Sequence, residues 1–249
     1  MGGFLSGKTS LTTVQTADIA ANAIDGTLTK DALVGDYSDV TVTAADLIMY
    51  GDATDSNNTK RDTVQGILDL VGGAGLTFIN TSDISAAATY DFTGFTAASY
   101  DTYVLHVMNL IPATDDVSLE LLTSTDGGSS FDTGASDYSW YTQMSDSNTG
   151  DTADDSIWLN GSTADGTYRF GSASNEDGLS MVLYVVAPHL TKRTQFHWRG
   201  SGFNASGAIK LFLGAGARFE SADVDGIRLL FTSGNIESGT ITAYGLANA

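Results

Sequence analysis

The chain contains no cysteine and only two prolines. Without thiols it can build neither a disulfide framework nor a thiolate metal site, which excludes a small scaffold held by cross-links and leaves cohesion to packing and assembly. Positive charge is also scarce. Against 30 Asp and Glu stand 11 Lys and Arg, a formal net charge of −19, and no Lys or Arg lies between Thr63 and Tyr168. Phosphate repulsion makes nucleic acid an unsuitable ligand at that balance. No run of about 18 apolar residues occurs, so no membrane insertion is expected. Met1 to Ser10 lacks the charged and then apolar pattern of a signal peptide, and the expectation is a soluble protein not exported by that route.

What is present points to β structure. Apolar residues make up 42% of the chain, enough for a core, and 28 Gly accompany a density of Thr, Ser, Asn and Asp. This is the composition of short strands joined by tight turns, and it is poor for long helices.

Three regions follow. Residues 1–42 place short apolar groups at regular intervals (Leu11 and Val14, Ile19 and Ile24, Leu28 and Leu33) that cannot bury themselves within one chain. They are expected to form an extended arm packed on neighbouring subunits, with a disordered leader as the alternative. Residues 43–74 read as a connector: a strand at Asp46 to Gly51, a turn over Asp52 to Thr59, and a helix over Lys60 to Val71 that Gly72 and Gly73 terminate. In that helix Val64, Ile67, Leu68 and Val71 fall on one stripe, the candidate subunit interface, with packing inside the chain as the alternative.

Residues 75–249 read as a β-sandwich. Tyr103 to Met108 and Val117 to Leu122 alternate, and Asp126-Gly127-Gly128 suits a hairpin turn. Further strands are expected at Tyr138 to Gln143, Ser156 to Leu159, Thr167 to Phe170 and Leu179 to Ala187, the last apolar enough for a strand covered on both faces. Others follow around Phe196 and Trp198, at Ile209 to Leu213, at Ile227 to Phe231 and at Thr240 to Tyr244. Within GIRLLF, Leu229 should be fully buried. The fold class is therefore mainly β, an antiparallel sandwich of jelly-roll type preceded by an extended arm and a short helix.

Two segments, Asp126 to Trp140 (DGGSSFDTGASDYSW) and Gly226 to Leu246 (GIRLLFTSGNIESGTITAYGL), resemble carboxy-terminal β domains of bacteriophage tail-fibre and tail-appendage proteins. Asp52 to Leu70 (DATDSNNTKRDTVQGILDL) resembles the strand, turn and helix module that precedes such domains. The resemblance implies a homotrimeric virion protein, attached to other virion proteins through its amino-terminal arm, with a host surface glycan or protein as its distal partner. A capsid decoration protein or head fibre that binds and stabilises the particle is the rival reading.

No catalytic, cofactor-binding or metal-binding residue emerges. Pairs such as Asp115-Asp116 and Asp154-Asp155 arise readily by chance in so Asp-rich a chain, and fold-level company is weak warrant for glycosidase chemistry. Asp146 to Asp155 offers hard oxygen ligands for calcium but no EF-hand spacing, and reads as a solvated acidic loop. His106, His189 and His197 show no zinc spacing, and Gly214-Ala215-Gly216 reads as a turn or bulge. Among the aromatics of the acidic region, Trp140 is assigned to the core, while Tyr141 and Trp158 are candidates for binding a receptor or ligand through stacking. Lys192, Arg193, His197 and Arg199 form the one positive cluster and could meet an acidic surface of a neighbouring subunit.

Overall fold

The computed structural model describes residues 41–56, 58–70, 75–95, 100–145, 148–161 and 168–247. The expected arm lies outside them except for Thr41 and Val42, which are exposed. The chain divides between Leu70 and Val71, and each part is described by itself.

In the first part, β1 (Leu47–Asp52) pairs antiparallel with β2 (Asn58–Thr63), in register from Leu47 opposite Thr63 to Asp52 opposite Asn58. A short 3-10 turn over Ala53–Asp55 closes the hairpin. The Asp52 carboxylate accepts from the Thr54 amide at 2.9 Å, and Lys60 pairs with Asp55 at 2.6 Å. Helix α1 (Val64–Leu70) follows, with the Thr63 hydroxyl accepting from the Gly66 amide at 3.0 Å as its cap. The expected helix start is thus four residues early, because Lys60 to Thr63 are held in the ladder with β1. No residue of β1 is buried, and Met49 is 77% exposed.

The second part is an antiparallel sandwich. Its strands are β3 (Leu76–Ala87), β4 (Tyr90–Phe92), β5 (Tyr100–Pro112), β6 (Leu119–Ser124), β7 (Tyr138–Met144), β8 (Asn148–Asp154), β9 (Ile157–Trp158), β10 (Leu179–Val186), β11 (Gln195–Phe203), β12 (Ile209–Arg218), β13 (Gly226–Phe231) and β14 (Ile236–Ala247). The large sheet runs β3-β14-β5-β10-β11-β12-β7-β8, and the small sheet runs β4-β13-β6-β9. Removing β7, β8, β11 and β12 leaves β3-β14-β5-β10 against β4-β13-β6-β9, the two four-stranded sheets of a jelly roll. Hairpins β7–β8, inserted between β6 and β9, and β11–β12, inserted between β10 and β13, widen one sheet to eight strands.

The core fills the space between the sheets. Tyr103, Leu105 and Val107 of β5, Leu183 and Val185 of β10, and Leu119 and Leu121 of β6 are completely buried there. Leu229 is buried as expected, between Ile227 and Phe231. Polar pins join its walls: the Trp198 indole donates to the Leu159 carbonyl at 2.7 Å, and the Thr123 amide donates to the Tyr138 hydroxyl at 2.8 Å. Beside Trp198, a Cβ at Gly214 would collide with the indole. Gly214-Ala215-Gly216 is accordingly the middle of β12 and not a turn.

Two further expectations are corrected. Asp126-Gly127-Gly128 is a tight turn, both glycines having positive φ, yet β6 and β7 do not pair; the segment carries the chain from the small sheet to the large one. β10 is central in its sheet but covered on one side only. Leu179, Met181, Leu183 and Val185 are buried, whereas Tyr184 is exposed. Among the described residues no helix is long and apolar enough to cross a membrane.

Candidate functional site: the outward face of the eight-stranded sheet

In an antiparallel ladder directly opposed residues share a face, so the registers define the surface that the small sheet does not cover. One row crosses all eight strands: Phe78, Tyr244, Val104, Tyr184, His197, Ala215, Tyr141 and Gly150. Its neighbouring row places His106, Val182, Arg199, Leu213 and Gln143 side by side. Along β12 the outward positions Ile209, Leu211 and Leu213 are 60%, 55% and 43% exposed. The face is therefore broad and substantially apolar.

Tyr141 stands on this face as an exposed ring. With Arg193, Gln195, His197, Asn148 and Asp151 it lines a shallow cavity of about 720 Å³. Trp158 lies elsewhere, on β9 of the small sheet opposite Glu120, and lines a cavity of about 520 Å³ with Trp140 and Asp154. The two cavities adjoin, sharing Trp140 and Asn148 to Asp151, but neither is lined by both candidate stacking residues. Trp140 is buried as expected. In the first part of the chain Val64 and Ile67 are half-buried and Leu68 is exposed, while Val71 lies outside the described residues. The stripe is consequently only partly covered.

The positive cluster is partly assembled. His197 and Arg199 share the outward face, whereas Arg193 lies beyond β11, stacked on Phe219 and donating to its carbonyl at 2.9 Å. The Arg199 side chain makes no ion pair or hydrogen bond among the described residues. Other arginines differ: Arg218 is buried and donates to Asp132 at 3.0 and 2.8 Å and to Glu220 at 2.9 Å, and Arg228 pairs with both oxygens of Asp91 at 2.7 Å.

The acidic region is more ordered than a solvated loop. Asn148 to Asp154 is β8, and the Asp154 carboxylate accepts from the Trp140 indole at 2.9 Å. Asp115 accepts from the Ser172 amide and Asp116 pairs with Arg169, so each has a structural partner. Among the described residues no group of three or more His, Asp or Glu is placed to hold a metal ion.

Glu120 was not singled out from the sequence. Burial pushes its carboxyl up to about 7; a hydrogen bond from the Ser156 hydroxyl works against this, and Asp155 and Asp154 reinforce it. The available signal was a lone carboxylate inside the apolar run Val117 to Leu122.

Compared with family models, with curated proteins and with solved structures, the chain finds no match.

Proposed function

We propose that the chain is a structural protein of a bacteriophage particle, a homotrimeric tail-fibre or appendage subunit that takes part in host attachment. The observation that carries the reading is the hairpin and helix of residues 43–70, a folded element with almost nothing buried in it. Such an element is stable when other chains supply its cover, and a closed homo-oligomer does so with one interface repeated by symmetry. The jelly-roll topology is compatible, since that architecture serves viral capsid and lectin domains, although architecture alone does not fix function. The resemblance of Asp52 to Leu70, Asp126 to Trp140 and Gly226 to Leu246 to phage fibre proteins favours the tail. No residue set supports catalysis in this reading.

Electron microscopy of particles decorated with an antibody to the chain tests it. Label at the tail is the expected result. Label on the head would replace the tail assignment by a decoration protein or head fibre, and unlabelled particles would remove the virion reading altogether.

A further inference from the structure

We propose that the outward face of the eight-stranded sheet, centred on Arg199, Leu211 and Leu213, is the surface through which copies of this chain associate; the inference rests on the homotrimer reading and gives it a location. The first support is a charge pattern. Along the registers joining β5, β10, β11, β12 and β7, the outward positions hold no Asp or Glu, in a chain that carries 30 of them. Carboxylates stand only at its margins: Asp177 lines a cavity with Ser180, Ser201 and Ile209 at one end, and Asp151 belongs to the edge strand β8. Copies with a net charge of −19 repel one another everywhere except where carboxylates are missing.

The second support is the chemistry of what stands there. Ile209, Leu211 and Leu213 present branched aliphatic side chains to solvent, and Val182 continues the patch on β10. Sugars are held by flat rings and by dense hydrogen bonding; the outward rings beside β12 lie opposite its ends, Phe203 against Ile209 and Tyr141 and His197 against Ala215, and leave Leu211 and Leu213 between them. Aliphatic columns suit a protein partner. Arg199 lies between Val182 and Leu213 with no anionic partner among the described residues, and any neighbouring copy brings an excess of carboxylates. Apposing two such faces directly would set Arg199 against Arg199, so the complementary arrangement is heterologous, with this face against an acidic flank of the next copy. A heterologous contact whose rotation closes forms a ring, in keeping with a trimer and not with a twofold dimer.

The third support is area. Five strands at about 4.8 Å spacing and about 30 Å long give a face of roughly 700 Å², close to the roughly 800 Å² per partner of a stable specific interface.

The test is the mass in solution of the full chain, by light scattering at micromolar concentration, for the wild type, Leu211→Asp/Leu213→Asp and Arg199→Glu. All three positions are exposed, so the fold should persist, and circular dichroism confirms it. Three chain masses for the wild type and at least tenfold weaker association for each variant, the contact at residues 43–70 remaining, are the expected results. A monomeric wild type overturns both the trimer and the face. A trimeric wild type with an equally stable trimer in both variants overturns the face alone and moves assembly to another surface. Should the double variant misfold, Arg199→Glu decides.

Discussion

The sandwich has two outer surfaces, and the chain treats them in opposite ways. On the small sheet the outward residues are dressed by the chain itself. Arg228 stands between Asp91 and Leu122, bonds both oxygens of Asp91 and lies 4.0 Å from the Phe131 ring, while Leu122 is buried. On the large sheet, Asp83 of β3 accepts from Thr240, but across β5, β10, β11, β12 and β7 no outward register position holds Asp or Glu, Leu211 and Leu213 are exposed, and the Arg199 side chain has no partner among the described residues. Loops over one surface finish it within a single chain; the other is left as if its finish were to come from elsewhere. Exposure of an apolar side chain therefore carries information according to its company: a lone leucine on a surface is ordinary, whereas a column of them beside a guanidinium is the pattern on which the contact is proposed.

The comparison breaks most visibly across the thickness of the large sheet. Leu183 on the inward side of β10 is 0% exposed, and Leu183→Ala should cost about 2 to 5 kcal/mol through lost transfer energy and the cavity left behind. Leu211→Ala on the outward side should stay within about 0.5 kcal/mol when unfolding is followed at concentrations low enough to keep chains separate. Urea denaturation of the two variants checks the ordering, and equal losses would mean that the outward face is already covered within one chain.

Charge offers a smaller contrast. Arg218 at the inward end of β12 has a 4% exposed side chain and depends on Asp132. Asp132→Ala should destabilise by about 2 kcal/mol, below the usual figure for breaking a buried pair because Glu220 remains and Asp132 is itself partly open to solvent. Arg199→Ala on the outward side, measured in the same way on separated chains, should change stability little.

The smallest expected effect depends on pH. The Glu120 carboxyl is held up to about 7 by its burial, whereas the unfolded chain releases this proton near 4.5. Folding therefore takes up a proton between these values, and stability contributed here falls as pH rises through that window and is flat above it. Glu120→Gln removes the penalty. Its melting temperature should match the wild type at pH 4 and exceed it at pH 8 by the equivalent of about 1 to 2 kcal/mol. A gain that did not vary with pH would place the effect in packing instead of ionisation.

Much of the sandwich was legible because alternation reports burial directly. Tyr103 to Met108, Tyr138 to Gln143 and Ile227 to Phe231 are strands with the expected residues inside, and Trp140 and Leu229 are buried. What failed were features set by strands distant in sequence. A run as apolar as LSMVLYVV looks covered on both faces, and whether a second layer exists is not written in it. Gly214 and Gly216 resemble turn residues because composition cannot show that Trp198 needs the space above them. Lys60 to Thr63 have a helical pattern but pair with β1, which satisfies more backbone groups than one further turn of a short helix. The candidate site was harder still. The positive cluster was visible as a list of cations, but the missing carboxylates on five strands become a surface only once the registers align them.

The widening of one sheet by two inserted hairpins ends at β8, and its consequence concerns uncontrolled growth. An unpaired edge strand is a template for further strands, and proteins that leave one open invite fibrils. Here the open edge carries Asp151 and Asp154, a glycine at 150, and a ladder whose register slips between Tyr138 and Trp140. Carboxylates and a distorted ladder repel another acidic chain seeking to extend the sheet sideways. The same insertion that enlarged the sheet thus gave it, at β8, an edge that resists lateral pairing with another acidic chain.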